Sequence, residues 1–318
     1  MIPLYIFIFI ASCLILFWAG RWLVTTLTRM AHFLGWREFV VASVLMAFVT
    51  SLPELFIGVF SAFHKRPQLS FGVVIGSNII ALTLIVGIGS LLAKQLRFGS
   101  KILQRSSLYT AAIAPLPLLL MLDGKISRWD GIVLFLAFGF YFHRLLSQEE
   151  RFTKILSNSL RRDRVGFGLF LKDLKMFFGG VCLLLLSAEG IVFSVLKLAE
   201  IFNLPLLIIG ILLVALGTSL PEIAFAIESI TMGHKEMILG DVMGSVVVNS
   251  TLILGLVALM CPFEISTFSP YFTGILFTVI VALSFAIFAK TDRKITRREA
   301  LFLLLIYVIF VICELFLT

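Results

Sequence analysis

Charge is scarce along this chain. Asp, Glu, Lys and Arg make up 14% of its 318 residues, against roughly 25% in a soluble domain. Hydrophobic residues make up 60%, and the mean hydropathy is +1.10. A water-soluble globule is excluded. Nucleic-acid binding does not fit so apolar a chain, and the net charge of +8 has to be read by its location. Cysteine is rare as well: Cys13, Cys182, Cys261 and Cys313 stand alone in apolar runs, without the spacing of a disulfide framework or a metal cluster. The four histidines, His32, His64, His143 and His234, lie at the ends of apolar runs or between them. No His-Glu-x-x-His and no Ser-His arrangement is present, which argues against an intramembrane enzyme. The first apolar run has no basic leader and no small-residue cleavage site, so a retained helix is expected there rather than a signal peptide.

What the chain does have is apolar sequence of membrane length. A crossing takes about 20 apolar residues, and ten stretches fit: 3–24, 39–63, 70–93, 106–122, 129–146, 174–197, 204–231, 237–260, 268–289 and 299–317. The connections on one side, together with the span ends beside them, hold 21 of the 26 Lys and Arg, the other five being Lys65, Arg66, Lys125, Arg128 and Lys197. By the positive-inside rule the richer side is cytoplasmic, and both termini lie outside. Three parts follow: a five-helix repeat over 1–146, a cytoplasmic basic loop over 147–173, and a second five-helix repeat over 174–318. The loop sets Arg151, Lys154, Arg161, Arg162 and Arg164 among Phe152, Ile155, Leu156 and Leu160. It reads either as an amphipathic segment lying on anionic lipid or as a solvated hinge.

The two halves share a motif. Thr50-Ser51-Leu52-Pro53-Glu54 returns 168 residues later as Thr218-Ser219-Leu220-Pro221-Glu222, and Gly76-Ser77 returns as Gly244-Ser245. At the same offset Ala47, Gly72, Thr83 and Gly87 match Ala215, Gly240, Thr251 and Gly255. Five spans per half is an odd number, so equivalent segments enter the membrane from opposite sides. The predicted fold is an all-α integral membrane protein, its ten transmembrane helices forming two inverted five-helix repeats. Secondary transporters share this plan, with the site at the midplane between the repeats.

The motif suits cation chemistry. A helical proline removes a backbone donor and frees a carbonyl near Thr50 and near Thr218. Irregular backbone at membrane depth is tolerated only inside protein or beside a wet cavity. A hard cation takes carbonyls, hydroxyls and carboxylates, and Thr50, Ser51, Glu54 with Thr218, Ser219, Glu222 supply all three. Ser77, Ser245 and Asn249 are further candidates. An ionised mid-membrane Glu is costly unless paired, hydrated or protonated, so Glu54 and Glu222 carry the functional reading. The Gly72-xxx-Gly76 and Gly240-xxx-Gly244 pairs serve close helix packing.

Thr-Ser-Leu-Pro-Glu followed by Gly-Ser-Asn-Ile-Ile, and again by Gly-Ser with an Asn four residues on, resembles the α-repeats of the sodium/calcium exchanger family of calcium/cation antiporters. Residues 44–91 and 212–259 carry the likeness. The resemblance implies that Glu54 and Glu222 are shared ligands of Ca²⁺ and its competitors. Thr50 and Thr218 would give carbonyls, and Ser51, Ser77, Ser219 and Ser245 flanking monovalent sites. It further implies alternating access, with the first and sixth spans sliding past a rigid eight-helix core, and no cofactor beyond the transported Ca²⁺ and Na⁺ (or H⁺).

Three positions depart from the family pattern. Ala81 stands for its usual Asn, Asn249 for its usual Asp, and Val49 for the glycine before Thr50. A site with two carboxylates is expected, enough to neutralise one Ca²⁺, and proton-coupled exchange enters as the alternative. An ion channel and a cation sensor without transport are other readings, separated by coupled flux. Arg21 and Glu189 hold equivalent positions in the first and sixth spans; they either pair or sit at opposite interfaces. Glu228 either lines an outer vestibule or marks a helix end. Asp241 opens the eighth span, where a carboxylate suits a helix N-terminus and would attract cytoplasmic cations.

Overall fold

A computed structural model describes residues 2–33, 46–99, 101–153, 167–231, 233, 235–264, 269–291 and 293–317, nearly all of them helical. Among them, eight helical stretches are long and apolar enough to cross a bilayer: Ile2–Thr26, Pro67–Leu92, Leu103–Asp123, Leu171–Phe202, Leu206–Thr231, Lys235–Met260, Tyr271–Thr291 and Arg297–Phe316. The protein is an integral membrane protein. Of the two other expected spans, 129–146 lies within one continuous helix, Arg128–Thr153. The described part of 39–63 is the short helix Ala47–Thr50 followed by Leu52–Phe63. Of the basic loop expected over 147–173, residues 147–153 continue the helix Arg128–Thr153, residues 167–173 begin the helix Phe167–Phe202, and 154–166 lie outside the described residues.

Two long helices, Ile2–Phe33 and Phe167–Phe202, run antiparallel against each other. Tyr5 meets Phe193 edge-on at 6.0 Å, Leu23 lies against Gly180, and Arg29 pairs with Asp173 at 3.0 Å. Leu16, Ala19 and Leu23 meet Leu184, Ala188 and Val192 in a core that also takes in Val49, Leu52, Ile57, Val73 and Phe225 of the neighbouring helices. Phe7, Leu14, Trp18 and Trp22 are exposed on the first helix, as a lipid-facing stripe would be. A second, larger core runs from Phe71 through Leu134 to Phe310 and unites the remaining helices.

Two helices thread the middle of that bundle. Within Pro67–Ile80 every residue but Gln68 is buried, and so is every residue from Ile238 to Val248. Sequence that is apolar all round is thus surrounded by protein, not lipid. Both run into a π-helical turn at equivalent places, Ala81–Ile85 and Asn249–Ile253. Such single wide turns are rare and cluster at functional sites. Four two-residue strands, β1 (Leu96–Arg97), β2 (Lys125–Ile126), β3 (Phe263–Glu264) and β4 (Lys294–Ile295), pair crosswise between the halves: β1 with β4 and β2 with β3. Within one residue of the 168-residue offset, β1 corresponds to β3 and β2 to β4, so the two pairings are copies of each other.

The central approach depends on Gly72 and Gly76. A Cβ on Gly72 would fall 2.5 Å from the Leu207 carbonyl oxygen, and one on Gly76 would strike the Ile211 carbonyl and come 2.5 Å from the Ala215 Cβ. Backbone cannot yield as a side-chain tip can. Gly76→Ala should therefore lower the melting temperature of the detergent-solubilised protein by roughly 5 °C, from a strain of a few kcal/mol. Gly139, where an added Cβ would meet nothing within 4 Å, is the control, and Gly139→Ala should cause no loss. Equal behaviour of the two variants would contradict this packing.

Candidate cation site

Each copy of the repeated motif stands where a helix stops and starts again. Ala47–Thr50 ends at Ser51 and Leu52–Phe63 begins; Ala215–Thr218 ends at Ser219 and Leu220–Thr231 begins. A proline is best tolerated in the first turn of a helix, where its missing N–H has no partner to lose. The chain therefore breaks at the serine and leaves the proline inside the new helix. Backbone bonds bridge each break: Ser51 N–H donates to Ala47 O at 3.2 Å and Leu55 N–H to Ser51 O at 3.0 Å. Ser219 and Ile223 repeat the pattern, both at 3.0 Å. Glu54 and Glu222 then fall in a first helical turn, where the helix dipole favours a negative charge.

The breaks meet the two central helices, and every candidate from the sequence is brought to the same buried region. Thr50, Ser51, Glu54, Ser77, Thr218, Ser219, Glu222, Ser245 and Asn249 are each at most 1% exposed. The threonine of each half meets the serine of the other. Ser77 Oγ donates to Glu54 Oε1 at 3.2 Å and lies 3.3 Å from Thr218 Oγ1, whose hydroxyl reaches Ala215 O at 3.1 Å. On the other side Thr50 Oγ1 lies 3.1 Å from Ser245 Oγ and 2.9 Å from Met46 O.

Many of these groups are left without a protein partner. Both Glu222 carboxylate oxygens, Glu54 Oε2, the Ser51 and Ser219 hydroxyls and both amide atoms of Asn249 are buried and make no hydrogen bond. Each such group costs about 1–3 kcal/mol if nothing satisfies it. None of the ion pairs among the described residues reaches these carboxylates: those pairs are Arg29–Asp173, His64–Glu189 and Lys197–Glu200. Buried oxygens in excess of donors, around acids without a basic partner, are the chemistry that a hard cation takes up.

Three sequence expectations need correction. The site holds three carboxylates, not two: Asp241 is 1% exposed and its Oδ1 accepts from Thr50 Oγ1 at 3.0 Å. It is not a surface lure at a helix start. The available signal was its spacing, one helical turn before Ser245 and so on the same face. Arg21 and Glu189 do not pair. In an antiparallel pair that matches Leu23 with Gly180 and Arg29 with Asp173, Arg21 and Glu189 are displaced by about eight residues, on the order of 12 Å along the axis. Arg21 instead lies over the Phe17 ring, 5.8 Å from its centroid, and Glu189 Oε1 binds His64 Nε2 at 3.0 Å. Ala81, at 0% exposure, is buried as tightly as its counterpart Asn249 and brings no oxygen.

The long helix pair covers this region. Gly20 presses on Pro221, with a hypothetical Cβ at 3.0 Å from its ring, and Cys13 lies on Gly217. The first helix thus closes over the break of the second motif, while the Phe167–Phe202 helix, through Glu189 and His64, touches the end of Leu52–Phe63.

Comparison with known proteins gives the same assignment. The family model described as sodium/calcium exchanger protein matches residues 4–146 and 173–316. The inner membrane protein YrbG of Escherichia coli (strain K12) is 28% identical over 287 residues, 86% of each chain. The sodium/calcium exchanger MaX1 of Methanosarcina acetivorans is 27% identical, covering 91% of this chain and 92% of its own. A solved structure of the sodium-calcium exchanger NCX_Mj, soaked with 2.5 mM Na⁺ and 1 mM Sr²⁺, superposes with a TM-score of 0.69 at 26% identity, over 97% of this chain and 98% of that one. The family model covers most of the chain and includes both copies of the break motif with their buried acids, so the chain belongs to the sodium/calcium exchanger family.

Proposed function

We propose that this protein exchanges Ca²⁺ for Na⁺ across a prokaryotic cytoplasmic membrane by alternating access, as a monomeric transport unit with both termini outside. The observation that carries the reading is the set of partnerless buried oxygens contributed in matching positions by both halves. Glu54 and Glu222 take the divalent cation. Thr50, Ser51, Ser245 and Thr218, Ser219, Ser77 form flanking positions for monovalent cations, and Asn249 adds an amide oxygen. Ten spans as two inverted repeats, 1–146 and 174–318 joined by the loop 147–173, are supported by the copied strand pairings and the matched π-helical turns. The pair Ile2–Phe33 and Phe167–Phe202 is the body that slides, and its contact with Pro221 and Gly217 is what must change to open the site. A second reading, proton-coupled Ca²⁺ exchange, is favoured by Ala81, which leaves one half poorer in oxygen.

Purified protein in liposomes should take up Ca²⁺ under an outward Na⁺ gradient and not under an outward H⁺ gradient alone; the reverse result would establish the proton-coupled reading. Glu54→Gln and Glu222→Gln should each cut uptake at least ~100-fold, since each removes half the charge facing the ion, and normal flux in both would sink the site. In cation-free buffer, at pH high enough to ionise the buried carboxyl, Glu222→Gln should raise the melting temperature by on the order of 2–5 °C, because it removes a buried charge without a partner. A lowered value would show that the carboxylate is already compensated. Ala81→Asn combined with Asn249→Asp should strengthen the Na⁺ dependence of uptake, and an unchanged Na⁺ response would discredit the role given to those two positions.

A further inference from the structure

The two threonine–serine pockets are built alike but not charged alike. Where the second half has Asp241, the first has Val73, an apolar residue at 1% exposure. The Thr218–Ser77 pocket therefore has Glu54 as its acid, whereas the Thr50–Ser245 pocket has Asp241 in addition to neighbouring Glu222. Thr50 carries one hydroxyl proton, yet three acceptors lie within its reach: Met46 O at 2.9 Å, Ala47 O at 3.3 Å and Asp241 Oδ1 at 3.0 Å. One proton serves one of them well. Glu222 stands close enough to Asp241 for their charges to repel, it lies beside the Ser245 hydroxyl, and neither of its buried oxygens makes a well-formed hydrogen bond. The pocket is buried, rich in oxygen, poor in protons and doubly acidic.

The three acids are not pooled on one point. Among the described residues no three of His, Cys, Asp and Glu stand close enough together to hold a single metal ion. A divalent cation between Glu54 and Glu222 neutralises two charges and leaves the third, at Asp241, with a carbonyl-and-hydroxyl shell of its own. One monovalent cation matches that remainder.

We propose that Asp241 is a ligand for an alkali cation in the Thr50–Ser245 pocket, at a position that stays filled while Ca²⁺ is bound. It makes this pocket bind the monovalent ion more tightly than the Thr218–Ser77 pocket. The inference rests on Glu54 and Glu222 taking the divalent ion, and it singles out one residue that breaks the symmetry of the repeat. That asymmetry makes the two sides of the exchanger respond differently to Na⁺.

The test is thermal stabilisation of the purified full-length protein by NaCl, with choline chloride holding ionic strength constant, in the absence and presence of saturating Ca²⁺. Any ion that binds the folded state raises its stability by mass action. Na⁺ should still stabilise wild type that is saturated with Ca²⁺, and Asp241→Asn should raise the half-saturating Na⁺ concentration at least ~10-fold, the scale of one charged ligand. Half-saturating Ca²⁺ should move less than about 3-fold in that variant, and Asp241→Glu should retain the Na⁺ response. If Na⁺ adds nothing once Ca²⁺ is saturating, the separate position does not exist, whatever the variants do. A wild-type Na⁺ response in Asp241→Asn would equally overturn the inference. Failure of Ca²⁺ to stabilise wild type, with Na⁺ still effective and dependent on Asp241, would overturn the exchange reading and leave the monovalent position standing.

Discussion

Two carboxylates held in the interior at membrane depth, with no basic side chain to pair with, set the terms for the rest of this structure. An ionised Glu there costs several kcal/mol or more, and the protein offers Glu54 only the Ser77 hydroxyl and Glu222 no hydrogen bond. The remaining stabilisation comes from protonation or, in the proposed reading, from bound cations. This explains why the helices break where they do. Stopping at Ser51 and Ser219 puts each Glu in a fresh first turn and frees carbonyls and hydroxyls around it. It also explains the two fully buried central helices, whose serines, asparagine and glycines supply oxygens and let backbones approach to contact distance.

A site that depends on its cargo for charge balance also needs walls that can part. The long antiparallel pair, Ile2–Phe33 with Phe167–Phe202, shares a buried core with the broken helices beside it, through Val49, Leu52, Ile57, Val214 and Phe225, and touches the breaks at Gly20 on Pro221 and Cys13 on Gly217, with Glu189 on His64. Arg29 and Asp173 tie the two helices to each other rather than to the bundle. A small residue at Gly20 leaves a smooth contact against the proline ring. Interlocked side chains at that place would have fastened the cover to the site.

Much of this was legible in the sequence because it is written twice. The paired Thr-Ser-Leu-Pro-Glu motifs, the serines 27 residues on and the Gly72–Gly76 spacing all survive as physical contacts, since a repeat filters out single-copy accidents. The same filter hid Asp241. Its counterpart is Val73, so comparison of the halves gave it no support, and its place near the start of an apolar run suggested a helix end. Only the turn-by-turn spacing to Ser245 pointed inward. Of the two readings left open for Arg21 and Glu189, pairing is ruled out for a geometric reason: equivalent residues of two antiparallel helices meet only at the crossing point, and these lie away from it. Helix breaks were foreseen as freed carbonyls, but that the break falls at the serine, before the proline, required the backbone itself.

The most direct measurement is an experimental structure of the protein bound to Sr²⁺ or Ca²⁺, with the ion located by its anomalous scattering. One strong peak should appear between Glu54 and Glu222, with a carboxylate oxygen from each at about 2.3–2.6 Å, and it should vanish in Glu222→Gln. A divalent ion bound by one of these residues alone, or at a place that neither touches, would contradict the idea that the two repeats build a single shared site.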